Sequence, residues 1–463
     1  MTVGRQCLYP CTRGFYGTPA VNLDIVRGDI SGFINRAYFH LAPQERNRVM
    51  FQPSLNGALD RRRFLQLVTL SAAGAILPSC STDDPGTRYT GEDIARLAQQ
   101  RLDEGTRAGQ GPFGPLRFKG YRGLAELPWF ELDSEGELRT VAMLDLPKAI
   151  DMHCHLGMSL LIAPEVDLQQ RTERAIHLLD CDGTNPGCEL DLDVYINRNF
   201  SDEALDELWW GSAAQGLWGN SRSTTQTIPN LLQEMDACGV ERASIMPIAF
   251  DLPFGDDLTE RWIQAINIAG ARERLILGCS VHPQDPARFD RLRQYAADGA
   301  RIIKFHPIMQ RAYPDSDVMM ELYAECERQG LIVFFHCGRA GIEPESTRRY
   351  ALPRHYEAAL KTFPNLQFIL GHSGARDVAE AIPLAMRYDN TWLDTHGQGV
   401  STLHDMLERT GGERMLFGTD WPFYHLAASL AKLLIITENR PSERYALLRG
   451  NAQRLLNMTG MRT

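Results

Sequence analysis

"KAIDMHCH", residues 148–155, is an apolar run that ends in two histidines one residue apart. Along a strand, residues i and i+2 share a face, so His153 and His155, with Asp151 behind them, project to one side. Two imidazoles and a carboxylate on one face form the geometry of a metal site. Seven further runs follow: "RASIMPI" (242–248), "LILGCSVHP" (275–283), "ARIIKFHP" (300–307), "LIVFFHCG" (331–338), "LQFILGHSG" (366–374), "TWLDTHG" (391–397) and "RMLFGTDWP" (414–422). Near-continuous apolar runs of this kind read as strands buried on both faces of a parallel sheet. The stretches between them, such as "DLTERWIQAINIAGARE" (257–273) and "DVMMELYAECERQG" (317–330), carry apolar residues at spacings of three and four and supply crossover helices. Eight β/α units close into a TIM barrel, a (β/α)8 fold of the α/β class. A doubly wound open sheet is the competing architecture, but no G-x-G-x-x-G follows an early strand.

The unusual residues sit where such a barrel does its chemistry. His153, His155, His282, His306, His336, His372, His396 and Asp420 all fall at or just past the C-terminal ends of runs, which form the catalytic mouth. Seven of the twelve histidines lie there. The rest of the composition is ordinary: 44% hydrophobic and 23% charged, with a formal net charge of -10. That balance gives a real core and no nucleic-acid footprint, and it favours a small-molecule substrate.

In order, "DMHCH", "IKFHP", "FFHCG", "ILGHSG", "FGTDWP" and the closing "GNAQRLL" resemble the amidohydrolase superfamily, specifically its amidohydrolase-related (amidohydrolase 2) branch. The resemblance runs from about residue 146 to 457. That branch holds hydrolases, lactonases and decarboxylases of the aminocarboxymuconate semialdehyde and resorcylate types. Carried over, it implies that His153, His155 and His336 are nitrogen ligands of a metal. Asp420 would bind the metal or its water and shuttle the proton, and His372 would orient the water or polarise the substrate.

Three imidazoles and a carboxylate with one position open suit zinc, with manganese or iron as alternatives. Such an ion lowers the pKa of bound water from about 15.7 to about 7, and a carboxylate beside it can take the remaining proton. Some superfamily members carry a carboxylated lysine on the fourth strand that bridges two metals, and Lys304 is present here. It precedes His306 by two residues and should sit ~6–7 Å deeper, so one metal ion is expected. His306, Arg339, Arg376 and Trp421 are the substrate-binding candidates, the two arginines for a carboxylate.

About eighty residues separate the first two strands, too many for one crossover helix. This insertion, 157–230, belongs on the catalytic face, and its Trp209, Trp210 and Trp218 fit either a lid or a small satellite core. It also holds "CDGTNPGC" (181–188), a turn that brings Cys181 and Cys188 together if the compartment is oxidising. The acids around it match no EF-hand spacing and read as a solvated loop.

The N-terminal stretch "LDRRRFLQLVTLSAAGAILPSC" (59–80) resembles a twin-arginine export signal, with Arg61, Arg62, Phe64 and Leu65 in the core. "LPSC" adds a lipoprotein box in which Cys80 would be lipidated. Residues 50–80 are therefore expected to be the signal, with Met50 as initiator and 1–49 outside the functional protein. Segment 81–145 reads as an N-terminal segment and linker, and 146–463 as the barrel domain. The expected location is the periplasm or a membrane anchor, with membrane contact only through the signal or lipid; a homodimer is open. The leading function is metal-dependent hydrolysis of an ester, lactone or amide in a small organic acid. The alternatives are a non-oxidative decarboxylase of the same branch and a non-catalytic envelope binding protein.

Overall fold

The computed structural model describes residues 88–460, apart from 161–162, 182–186, 199 and 253–255. The export signal, Met50 and Cys80 fall outside these residues. The described chain opens on helix α1 (Gly91–Arg107), where Thr90 and Asp93 close a capping box. Two short antiparallel pairs follow: Phe130–Leu132 with Leu138–Thr140, and Arg117–Lys119 with Glu189–Asp191 of the insertion.

Eight parallel strands build the body: β1 (Ala149–Cys154), β2 (Val240–Ile245), β3 (Leu275–Cys279), β4 (Ile302–Phe305), β5 (Ile332–His336), β6 (Phe368–Gly371), β7 (Thr391–Asp394) and β8 (Met415–Leu416). Each of the eight lies within or overlaps one of the apolar runs. They are hydrogen-bonded in unbroken order from β1 to β8. The ring closes where Met152 N donates to Phe417 O at 2.9 Å, Asp420 N donates to His153 O at 2.7 Å, and Cys154 bridges Trp421 in parallel. The chain adopts the expected TIM barrel.

Helix α2 (Asp202–Trp218) lies within the insertion after β1. The crossovers are α3 (Ile228–Ala237), α4 (Leu258–Ile268), α5 (Arg288–Ala297), α6 (Asp317–Gln329), α7 (Glu357–Thr362), α8 (Val378–Arg387) and α9 (Val400–Thr410). After β8 come α10 (Leu426–Ile436) and the terminal α11 (Asn451–Met458). No helix among the described residues is long and apolar enough to cross a membrane.

The barrel interior changes character layer by layer. Ile276, Ile302, Ile332, Ile369, Trp392 and Leu416 form an apolar floor with Ile150 and Met152, and α11 adds Ala452, Leu455 and Leu456 to it. Asn451 ties that helix down by donating to Gly412 O and Met415 O, which explains the closing "GNAQRLL". Two residues further along β4, β5, β7 and β8 stand Lys304, Phe334, Asp394 and Gly418, and two further still His306, His336, His396 and Asp420. The period-2 alternation of a strand thus carries each chain from apolar floor to polar mouth. β1 departs from it, because its pairing with β2 shifts register between Asp151 and Cys154. Asp151 therefore does not join the two histidines as the alternation suggested. It accepts from His153 N at 2.9 Å and from Thr419 Oγ1 at 2.5 Å, fastening β1 to the end of β8.

Residues 88–145 carry more structure than a linker, since α1 and Arg88 before it are anchored across the molecule. Asp93 meets Arg354, Arg88 pairs with Asp315, Arg96 with Glu380 and Arg101 with Asp202. Only Asp93 and Leu97 of this helix are buried. Cys181 and Cys188 form a disulfide, and the other cysteines among the described residues, Cys154, Cys238, Cys279, Cys326 and Cys337, are free and buried.

Candidate metal centre

Partners on the far side of each ring fix the histidines of β1. His155 Nδ1 lies 2.5 Å from Met246 O, an acceptor only, so that nitrogen carries the proton and Nε2 keeps its lone pair. His153 Nδ1 donates to Asp394 Oδ2 at 2.8 Å, again leaving Nε2 unprotonated. Both free Nε2 atoms face one carboxylate oxygen, Asp420 Oδ1, at 3.2 Å for His153 and 3.0 Å for His155. Three lone pairs converging in a buried space repel one another unless a cation stands among them, and beside the Lys304 ammonium, 3.3 Å from His153 Nε2, a metal ion would meet all three. Donors each ~2 Å from one tetrahedral ion stand about 3.3 Å apart, close to these separations. The residues fit a divalent metal.

A third histidine, His372, joins His153 and Asp420 in a group that includes neither His155 nor His336. Ligand atoms of His153, His372 and Asp420 all lie within 4.8 Å of one another, the one such group among the described residues. His372 has a left-handed backbone at φ 56°, and its Nδ1 is buried with no hydrogen-bond partner. His336 reaches the group through His372, whose Nε2 is 2.9 Å from His336 Nδ1. Asp420 is also left-handed, at φ 57°. Two non-glycine residues in this sparsely populated region, both at the mouth, persist only where surrounding bonds over-determine them.

Charge in the mouth is dense and desolvated. Burial pushes the His336 imidazole down to about 3 and that of His396 to about 4, with Lys304 among the further causes. Burial and then Lys304 hold His153 well below its ordinary value. Burial raises the Asp420 carboxyl, but His396, His155 and Lys304 outweigh it, so the group stays below the usual carboxylate range. Asp394 is pushed up to about 7 by burial, against the backbone N–H groups of His372 and His396.

Lys304 is closer than its position on the strand suggested. Its Nζ stands 3.3 Å from His153 Nε2, because the four-carbon stem spans the depth that separates its backbone from the mouth. Burial lowers its ammonium to about 8, opposed by Asp420 and Asp394.

The remaining candidates have other partners. Arg339 is fully buried, with Nε and Nη2 on Asp377 at 2.8 and 2.6 Å. Arg376 pairs with Glu104 of α1 at 3.2 Å and lies 5.0 Å over the Tyr195 ring. Trp421 is buried and gives its indole N–H to Glu234 at 3.2 Å. His306 caps the short helix Pro307–Gln310 and stacks on His336 with ring centroids 4.0 Å apart. Trp209 and Trp210 meet edge to face on α2, 4.7 Å between centroids and partly exposed.

Asp394 was not singled out in the sequence, yet it ties three histidines of the centre together. Besides His153 it accepts from His372 N at 2.9 Å and His396 N at 3.1 Å. His396 Nε2 stands 3.3 Å from Asp420 Oδ2. The signal was present: "DTH" (394–396) repeats the acid-x-His spacing of "DMH" (151–153).

A sequence model of a family described as Amidohydrolase matches residues 150–458. A search of curated proteins finds no match. Among solved structures, the chain is similar to an uncharacterized TIM-barrel protein from Bordetella bronchiseptica, with 22% identity over 52% of this chain and 85% of that one, at a TM-score of 0.45. It is similar to a probable 2-pyrone-4,6-dicarboxylic acid hydrolase from Acinetobacter baumannii, with 11% identity, 68% and 100% coverage and a TM-score of 0.42. A third is the 5-carboxyvanillate decarboxylase of Sphingomonas paucimobilis, with 17% identity, 55% and 95% coverage and a TM-score of 0.41.

Proposed function

The chain belongs to the amidohydrolase family, and from that premise we propose that it is a metal-dependent hydrolase that opens an ester, lactone or amide bond in a small organic acid. The observation that supports this most is the convergence of His153 and His155 Nε2 on Asp420 Oδ1 at 3.2 and 3.0 Å. These three residues would hold one divalent ion, with the further nitrogen coming from His336 or from the nearer His372. Zinc suits the donor set, and manganese or iron would also be accepted. When bound, the ion supplies Lewis acidity, lowering the pKa of water from about 15.7 to about 7. Asp420 takes the proton of the attacking water and hands it to the leaving group. His372 orients that water. Asp394 holds His153 in the tautomer that presents Nε2.

A non-oxidative decarboxylase uses the same residues. It is supported by the contact of Asp420 with His396, beside which that carboxylate could take a proton from water and pass it to carbon as carbon dioxide departs, leaving hydroxide. One experiment separates the two. Metal-loaded protein is incubated in 18O water with a panel of lactones, esters, amides and aromatic carboxylic acids. One 18O atom in the product supports hydrolysis; carbon dioxide release without it supports decarboxylation. No bound metal even after reconstitution, with turnover of neither, supports the envelope binding protein. His153→Ala should lose both metal and turnover while keeping the fold, and full activity in that variant removes the site assignment.

We also propose export by the twin-arginine route, resting on Arg61, Arg62, Phe64 and Leu65. An N-terminal mass from the native host beginning at Cys80 or Ser81 supports it, and one upstream of Met50 overturns it.

A further inference from the structure

Glu234 lies on α3, outside the metal centre, and its mostly buried carboxylate gathers donors from three separate parts of the chain. Oε2 accepts from His177 Nε2 of the insertion at 3.0 Å and from Trp421 Nε1 at 3.2 Å. Oε1 accepts from Leu426 N, the first residue of α10, at 2.6 Å. The segment between these two anchors, 421–426, begins immediately after Asp420. The insertion also pairs with it along the backbone: Leu178 N donates to Pro422 O at 3.0 Å and Leu179 N to Phe423 O at 2.9 Å. Asp420 needs such holding, because a residue with a side chain is disfavoured in the left-handed region.

A buried carboxylate is a poor device for stability alone, since well-packed apolar side chains do as well or better. Its attachment to the insertion, to Trp421 and to the start of α10, all bordering the turn that follows Asp420, indicates geometry as its purpose. We propose that Glu234 is a positioning residue: through Trp421 and the start of α10 it sets the place of Asp420 at the mouth, and through His177 it makes that place depend on the seating of the insertion. This rests on the reading of Asp420 as a metal ligand. Glu234, His177, His425 and Tyr121 line a cavity of about 130 Å³, so an isosteric substitution meets no steric obstacle.

The test uses the full mature chain and Glu234→Gln, read by thermal melting, by hydrogen exchange of the 417–426 peptide and by cobalt titration followed in the visible spectrum. Melting within a few degrees of wild type is expected, with faster exchange confined to that peptide and a tenfold to hundredfold loss of cobalt affinity with a shifted spectrum. Trp421→Phe, which removes the indole donor and leaves a smaller apolar ring, should move the same two readouts in the same direction and serves if Glu234→Gln does not fold. Unchanged exchange and unchanged cobalt affinity overturn the proposal, as does faster exchange spread evenly over the barrel. If the wild-type chain takes up no cobalt, the metal reading fails on its own. The exchange result then decides the positioning role: a local increase supports it and none overturns it.

Discussion

At Gly418 the centre leaves no room for a methyl group: a Cβ there would stand 2.0 Å from Asp394 Oδ1 and 3.0 Å from His153 Cβ. Gly418→Ala should therefore push Asp394 off His153, costing about 1–3 kcal/mol of stability, and should abolish metal uptake as read by elemental analysis. Asp394→Asn is milder. Asparagine cannot accept from His153 Nδ1, His372 N and His396 N together without turning its amide N–H toward one of them, so metal affinity should fall about tenfold to a hundredfold in a competition titration. An unchanged affinity would remove Asp394 from the centre. His153, His155 and Asp420 were legible as mouth residues because each stands at the end of an apolar run. Asp394 was not, because its role depends on which side chain faces it across the barrel. The nearness of His372 was hidden for a different reason, namely a left-handed turn that the letters "GHSG" do not declare.

Among the elements, α1 shows how much a local signal leaves out. Its capping box is readable from Thr90 and Asp93, but its docking depends on arginines more than two hundred residues away. Burial raises the Asp93 carboxyl, yet the Arg354 guanidinium and the Thr90 backbone N–H outweigh it and hold the group far below its ordinary value. A carboxylate depressed in the folded state stabilises above its unfolded pKa of about 3.9, and that stability is lost as pH falls toward the folded value. Limited proteolysis within 88–110 should accordingly speed up below about pH 4, and also with salt at neutral pH, because the other anchors are partly exposed ion pairs. Asp93→Asn should cut quickly at neutral pH and lose most of this acid dependence. Equal protection at pH 3 and pH 7 would count against an electrostatic anchor. A second contrast lies in the insertion, where residue types announced turns and aromatic packing but not the pairing of 178–179 with 422–423, since irregular backbone carries no period to read.

For the whole molecule, the barrel was legible because two independent periods agreed: apolar runs of strand length, and three-and-four spacing between them. Closure was visible only in the count of runs, as β8 has two residues of regular strand and the ring is completed by bonds from Met152 and Asp420 to backbone partners. The cysteines carry a practical consequence of this closed ring. Cys154 lies on β1, Cys279 on β3, Cys326 on α6, Cys238 at the end of α3 and Cys337 just past β5, all buried, with burial raising every one of these thiols above its ordinary value. In a chain beginning after Cys80, an alkylating reagent should find no accessible thiol among the described residues until a wall of the barrel opens. Five sulfurs spaced around the ring then act as clocks, and the order in which they acquire a mass tag in mild denaturant would record, without any engineered probe, which side of the cylinder breathes first.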